Sequence, residues 1–325
     1  MLGQKSHIGY SLAVIFITGS MLVGCGNRER VLEGERLALR ASILDDDEEV
    51  VVEKEDTLVD RLALEAPSIN VDWTHRNGSA QHKIKHPTLR QSPEKVWTAN
   101  IGKGNTKKRG ITASPIVAGG LIYTMDANAG VRAFTTAGVQ VWFVDLTPPN
   151  EKANEASGGG MAFGNGVLAV TTGHGEVIAL DATNGAVRWR HSIKGAISVD
   201  PVIVEKTVVA VGRNNIAVGL DIQNGRLKWQ QKSQGNTAGV AGAGAPAALG
   251  KLVIIPFTSG QVVGTVVTNG LRAWSVSISG RNNGLARNLF ADISGDPVID
   301  GRVVYVANQT GRLVAVDRRS GTRLW

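Results

Sequence analysis

The side chains that could do chemistry are few in this sequence, and most stand apart from one another. His75, His82 and His86 are close enough in sequence to suggest a metal site, but their segment is polar, has no helical frame and brings no cysteines. It reads as a solvated loop. Gly102 to Arg109 combines two glycines with four basic residues, yet lacks the Gly-x-x-x-x-Gly-Lys-Ser/Thr order that cradles a phosphate. That run is read as an exposed basic loop, suited to an acidic partner or lipid headgroups. Gly239 to Pro246 is rich in glycine and alanine, but Pro246 and the strand signal after it exclude the start of a dinucleotide-binding helix. The single cysteine, Cys25, rules out an internal disulfide and a cysteine-based metal cluster. The acids past residue 66 are sparse and scattered, without the density of a calcium site. The expectation is a non-enzyme with no cofactor and no metal.

Elements able to position a binding surface are better marked than any catalytic group. The chain has 325 residues, 42% hydrophobic, with 40 glycines, which is enough for a large core built from short strands and tight turns. Residues Arg28 to Glu65 hold thirteen acids against six bases, whereas residues 66–325 hold fifteen acids against twenty-eight bases. A basic body is a signature of nucleic-acid binding, but the N-terminus argues against that partner. Lys5 precedes an apolar run from Leu12 to Ile17 and from Met21 to Val23, too short and interrupted for a membrane span and suited to a secretory signal over residues 1–24.

The run ends Leu22-Val23-Gly24-Cys25, which resembles the lipobox of bacterial lipoproteins. The resemblance implies a lipidated Cys25, with two or more acyl chains holding the body at a membrane. The alternative is an ordinary signal peptide that happens to end in a free or buried cysteine. Residues 25–70 are polar and carry Asp45-Asp46-Asp47-Glu48-Glu49, as a flexible tether does. Over forty-five residues such a tether reaches roughly 35 to 40 Å. Val50, Val51 and Val52 leave open a short strand or a partner contact within it.

From residue 71 to residue 325 the sequence reads as one all-β body. Gly-x-x-x-Trp recurs at Gly138/Trp142, Gly185/Trp189, Gly225/Trp229, Gly270/Trp274 and Gly321/Trp325, with Asp181, Asp221 and Asp317 four residues before three of the glycines. Successive tryptophans are 47, 40, 45 and 51 residues apart, the period of a four-stranded propeller blade. The last unit shows four strand signals, Asp296–Ile299, Arg302–Ala307, Arg312–Asp317 and Thr322–Trp325, parted by Gly301, Gly311 and Gly321. One indole per unit at a constant register predicts a structural wedge between stacked sheets rather than a ligand cage or a platform for bases. The three aspartates are expected to hold turns by local hydrogen bonds.

The pattern Ala-x-Asp-x-x-x-Gly-x-x-x-Trp resembles the docking motif of quinoprotein-like propellers. With the lipobox, Asp72-Trp73-Thr74-His75-Arg76-Asn77-Gly78, Thr112–Val117, Gly158–Gly160 and Thr171–Asp181, the chain resembles the BamB family of lipoproteins in its alphaproteobacterial form. That resemblance implies an eight-bladed propeller, of which five blades and an orphan strand at Val96–Ala99 are encoded here. The expectation is a C-terminally truncated propeller forming an open arc. The resemblance further implies a scaffold of the outer-membrane β-barrel assembly (BAM) complex, lipid-anchored at the outer membrane and facing the periplasm. Its partners would be a POTRA domain of BamA, other BAM subunits and nascent outer-membrane proteins. Family contact positions carry over to Ala238, Val240 and Ala241 in one connection and to Asp292 and Ser294 in the next; the family's arginine is Ala241 here. Two readings stay beside this one: an exported dehydrogenase using pyrroloquinoline quinone, and a lipoprotein propeller that binds cell-wall sugar or peptide.

Overall fold

The computed structural model describes residues 64–152, 155–156, 158–233, 244–278 and 293–325. Glycine turns at short intervals fold this stretch into a succession of antiparallel meanders. Sheet I comprises β1 (Ile116–Ala118), β2 (Leu121–Met125), β3 (Gly130–Thr135) and β4 (Gln140–Asp145); sheet II comprises β5 (Gly159–Gly164), β6 (Val167–Thr172), β7 (Glu176–Asp181) and β8 (Val187–Ser192). Sheet III holds β9 (Val202–Val204), β10 (Thr207–Val211), β11 (Ile216–Asp221) and β12 (Leu227–Lys232), and sheet IV holds β13 (Ala247–Leu249), β14 (Leu252–Pro256), β15 (Gln261–Val266) and β16 (Arg272–Ser277). Sheet V has three strands, β17 (Val298–Asp300), β18 (Val303–Ala307) and β19 (Leu313–Asp317). The fourth strand expected at Thr322–Trp325 is reduced to a bridge between Arg323 and Val316, and Val96–Ala99 forms no regular strand. Thr322–Trp325 still lies along β19, with Leu324 N–H on the Ala315 carbonyl at 2.8 Å and Ala315 N–H on the Trp325 carbonyl at 3.2 Å, whereas Val96–Ala99 has no neighbouring strand among the described residues.

Each sheet has two faces; in sheets II and III the second strand is buried on both, whereas in sheet V β18 is buried on alternate residues only. The apolar core is accordingly divided into four layers, each shared by two successive sheets. Met161, Leu168 and Ile178 of sheet II pack with Ile116, Tyr123 and Val131 of sheet I, while Ala162, Ala169 and Ala179 pack with Val208, Ala210 and Val218 of sheet III. The first strands meet in chain order, β1 with β5, β5 with β9, β9 with β13 and β13 with β17. Sheets that radiate from a shared line and share core layers in sequence make a β-propeller.

The tryptophans join these layers. Trp142, Trp189, Trp229 and Trp274 sit on the fourth strands and are buried, although the residues flanking them are mostly exposed. Opposite each on the third strand is a small residue, Ala133, Ala179, Gly219 or Gly264. A one-residue bulge beside that pair leaves Arg188 or Lys228 free to turn back to Asp181 or Asp221, at 2.6 and 3.4 Å. On its far side the indole meets the turn glycine of the next sheet. A Cβ built on Gly185, Gly225 or Gly321 would lie 2.7 Å from the ring system or Cβ of Trp142, Trp189 or Trp274. Every one of the four indole N–H groups donates to a carbonyl of that same turn: Ala182 (3.1 Å), Ile222 (2.9 Å), Val267 (2.6 Å) and Arg318 (2.8 Å).

Trp97 is seated in the same way, against Gly138 of sheet I, with its N–H 2.9 Å from the Thr136 carbonyl. Trp325 is not. Its indole is 58% exposed and tilts over Tyr305, because no following turn among the described residues offers it a glycine and a carbonyl. The aspartates stand at the turns: Asp181, Asp221 and Asp317 accept the N–H of Thr183, Gln223 and Arg319, with Arg302 also paired to Asp317. The Thr183 hydroxyl and Arg188 hold the Asp181 carboxyl, and the Ser320 N–H and Arg302 hold the Asp317 carboxyl, well below the ordinary carboxylate range.

Removing one wedge should loosen two sheets together. Trp229→Ala is expected to cost about 3 to 5 kcal/mol in urea denaturation, since it opens a cavity and orphans the Val267 carbonyl. Trp229→Phe should recover part of that loss and leave the hydrogen bond unmade.

Candidate functional site

The first strand of every sheet is an edge strand, so its N–H groups on the axial side have no partner within the sheet. Residues 73–82 supply one acceptor to each of the five. The Trp73 carbonyl accepts Val117 N–H at 2.9 Å, Thr74 accepts Phe163 at 2.8 Å, Ala80 accepts Ala248 at 2.7 Å and Gln81 accepts Ile299 at 2.9 Å. For Ile203 the acceptor is the ring Nε2 of His75, at 3.1 Å. The segment is a tight hairpin, closed by Thr74 N–H on the Gly78 carbonyl and Gly78 N–H on the His75 carbonyl. Its two arms are joined again at Ser68 and Pro87.

The tip of this axial strap carries the charges. Arg76 reaches Asp200 (3.1 Å) and Asp296 (2.6 Å), and Asn77 donates to Asp296 at 3.3 Å. Asp200 and Asp296 hold the same place in their sheets, directly before the proline that opens the first strand. Each uses its other oxygen to accept an N–H of the preceding sheet, from Met161 (3.0 Å) and Ala245 (2.7 Å). One guanidinium therefore ties together the ends of four sheets. Asp200 is 1% exposed, and burial pushes its carboxyl up to about 6 despite the Met161 N–H and Arg76. Burial pulls the Arg76 guanidinium down, but Asp296 and Asp200 outweigh it and the net direction is upward.

The two histidines of the strap are buried, which corrects the solvated-loop reading of His75 and His82. Their ring nitrogens replace water with backbone partners: His75 through Ile203 N–H, and His82 through the Pro297 carbonyl at 3.0 Å. An acceptor role at Nε2 leaves the His75 proton on Nδ1, 2.8 Å from the Thr74 hydroxyl. Burial lowers His75 to about 4, helped by its neighbour His82, and burial lowers His82 too, against Asp296 and the Pro297 carbonyl. His86 is partly exposed and bonds the Glu65 carbonyl. Sequence reasoning missed Arg76, Asp200 and Asp296. The signal was the repeated Asp-Pro pair at 200/201 and 296/297, two acids at one register of different repeats.

An antiparallel meander has two ends. At one lie the turns between second and third strands and the sheet-to-sheet connections; at the other lie the turns from first to second strand and the docking turns. The basic loop Gly102–Arg109 belongs to the connection end, with Lys103 bonded to Asp126 and Ala127 of the β2–β3 turn. Ser294 is exposed at that end. Beside it, the Ile293 carbonyl accepts Gly244 N–H at 2.9 Å, so the connections before β13 and before β17 touch at their roots. Cys25, Ala238, Val240, Ala241 and Asp292 lie outside the described residues. Among the described residues no group of three or more His, Cys, Asp and Glu side chains gathers as metal ligands would. Nor is any helix among them long and apolar enough to cross a membrane.

Four-stranded sheets pinned by tryptophan docking define a quinoprotein-like β-propeller. A family model described as "Outer membrane protein assembly factor BamB" matches residues 127–325, more than half of the sequence, and the chain belongs to that family. BamB of Yersinia pestis is 27% identical over 249 residues, 72% of this chain and 61% of that protein. The crystal structure of BamB from Moraxella catarrhalis superposes with a TM-score of 0.57 at 22% identity, covering 66% of this chain and 63% of that one. A europium-containing methanol dehydrogenase has the same architecture, with a TM-score of 0.63 at 15% identity over 79% of this chain and 58% of that one. The chain spans about three fifths of the length of the curated relatives it matches.

The strap makes stability depend on pH in two opposing ways. His75, lowered to about 4, contributes stability that is present above its unfolded value near 6.5 and is lost as pH falls toward 4. Asp200, raised to about 6, acts in reverse, opposing the fold as pH rises through 6. His75→Gln keeps an acceptor and removes the first effect alone. On acidification from pH 7 to pH 5 the variant should gain about 2 kcal/mol relative to the unsubstituted chain in denaturant titrations at the two pH values.

Proposed function

We propose that the chain is a non-catalytic, lipid-anchored scaffold of the machinery that assembles β-barrels into the outer membrane, docking on BamA through its connection end and assisting incoming outer-membrane proteins. Family membership supports the assembly role, and the adjoining connections support the docking end: Gly244 and Ile293 are hydrogen-bonded at the roots of the two stretches that carry Ala238, Val240, Ala241, Asp292 and Ser294. A strapped propeller can hold such loops in a fixed relation. Lipidation at Cys25 would keep the body on the periplasmic side of the outer membrane. The contact is made by loops or by an added strand on a sheet edge.

The dehydrogenase reading draws on the likeness to the methanol dehydrogenase. The residues on the axis do not fit it. Asp200 and Asp296 are already shared between Arg76 and backbone N–H groups, and the strap itself fills the line where the first strands converge. A quinone with a calcium ion needs oxygen ligands that are free to coordinate.

A photo-crosslinking residue placed at Ser294 in the otherwise intact chain should give an adduct with BamA in cells, and the same probe at Asn165, on the opposite end, should not. Intact, membrane-associated chain with no BamA adduct from Ser294 would remove the docking model. Dye reduction on addition of quinone and calcium would favour the enzyme instead.

A further inference from the structure

The docking-turn end carries a charge pattern that turn geometry does not require. In sheets III and IV the turn between the first two strands presents Lys206 and Lys251, the docking turns of sheets III and V present Arg226 and Arg319, and Arg272 and Arg323 stand just past the docking turns of sheets IV and V. All six are exposed, and none is in an ion pair among the described residues. The corresponding inner turns of sheets I and II read Gly119-Gly120 and Asn165-Gly166, which turn equally well without charge. Three acids at this end are paired, Asp221 with Lys228, Asp300 with Lys83 and Asp317 with Arg302, while Glu205 and, on the strap arms, Glu65 and Asp72 are exposed and in no ion pair among the described residues.

The two turns of each sheet are held side by side. Ile222 N–H bonds the Lys206 carbonyl, Val267 N–H the Lys251 carbonyl and Arg318 N–H the Arg302 carbonyl. The cations therefore form a sector spanning three sheets rather than scattered points. Both arms of the axial strap leave at this same end: Lys83 pairs with Asp300 at the close of β17, and Asp72 precedes the Trp73 pairing with β1. Ile69, Val71 and Ile84 are exposed on those arms.

We propose that this sector is a docking surface for an anionic phospholipid bilayer. Phosphate headgroups complement the six free cations, and the exposed apolar residues of the strap arms suit the headgroup boundary. The arrangement turns the connection end away from the lipid and leaves it open to protein. The surface is independent of any BamA contact, so failure of one leaves the other standing.

The test uses full-length chain bearing Cys25→Ser in every sample, so that no acyl chain contributes. Co-sedimentation is measured with vesicles of phosphatidylcholine alone and of phosphatidylcholine with about a third phosphatidylglycerol. The unsubstituted surface should bind the anionic vesicles at least tenfold better than the neutral ones and release them as salt rises. Lys206→Ala, Arg226→Ala, Lys251→Ala and Arg272→Ala combined should lower that binding by roughly several hundredfold, with an unchanged melting curve because all four side chains are exposed. A matched set at the connection end, Lys103→Ala, Lys152→Ala, Lys194→Ala and Arg213→Ala, should leave it within about twofold. Equal binding to both vesicle types, or equal loss from both sets, would overturn the proposal. So would retention on immobilised polyglutamate without sedimentation on the anionic vesicles, since the occupant would then be an acidic polypeptide.

Discussion

The joint on which this fold depends is an indole held between two small residues belonging to different sheets. A four-stranded meander cannot bury both of its faces alone, and it gains a neighbour only if something large fills the wedge without forcing the backbones apart. Trp189 does this between Ala179 of its own sheet and Gly225 of the next, and its N–H reaches the Ile222 carbonyl so that the buried polar atom is satisfied as well. The burial of one indole is worth about 4 to 6 kcal/mol at roughly 25 cal/mol per Å² as an upper estimate. The turn glycine and the aspartate before it make sense only with respect to that ring. The first offers it a flat surface, and the second fixes the turn that offers it.

Docking tryptophans act toward the perimeter and leave the axis unsolved. Five first strands converge there with unpaired N–H groups, and burying them without acceptors would cost more than the sheets gain from approach. The strap meets this requirement with four carbonyls and one imidazole nitrogen, then uses Arg76 to draw together the two acids that open sheets III and V. An ion pair buried to this depth stabilises little against an apolar alternative, but it is selective, because only a guanidinium fits between two carboxylates that already accept backbone N–H groups.

Much of the perimeter was legible in the sequence, and much of the axis was not. Gly-x-x-x-Trp is a local signal whose two ends lie in one hairpin, so its register can be read by counting, and the turns at Asp181, Asp221 and Asp317 follow from short-range hydrogen bonding. The strap is a long-range object. His75 acquires its role from Ile203 and Arg76 from Asp296, and no periodicity links such positions. A polar segment with two histidines and an arginine looks solvated until the acceptors it provides are counted against strand edges that need them. The fourth segment of the last repeat was legible as well: Thr322–Trp325 pairs with β19 through backbone bonds at Thr322, Leu324 and Trp325, and what differs is its indole, which meets no following turn among the described residues.

The strap precedes every sheet that it binds, and this order has a consequence for how the molecule is made. Contacts such as Asn77 with Asp296 join positions 219 residues apart, so the hairpin at the front of the chain has to wait for the last described sheet before its tip can close. A polypeptide threaded across a membrane from its N-terminus would hold this piece idle while the array grows behind it. Arg76 can be seated only once Asp200 of sheet III and Asp296 of sheet V stand side by side, so its ion pairs form after both sheets are in place.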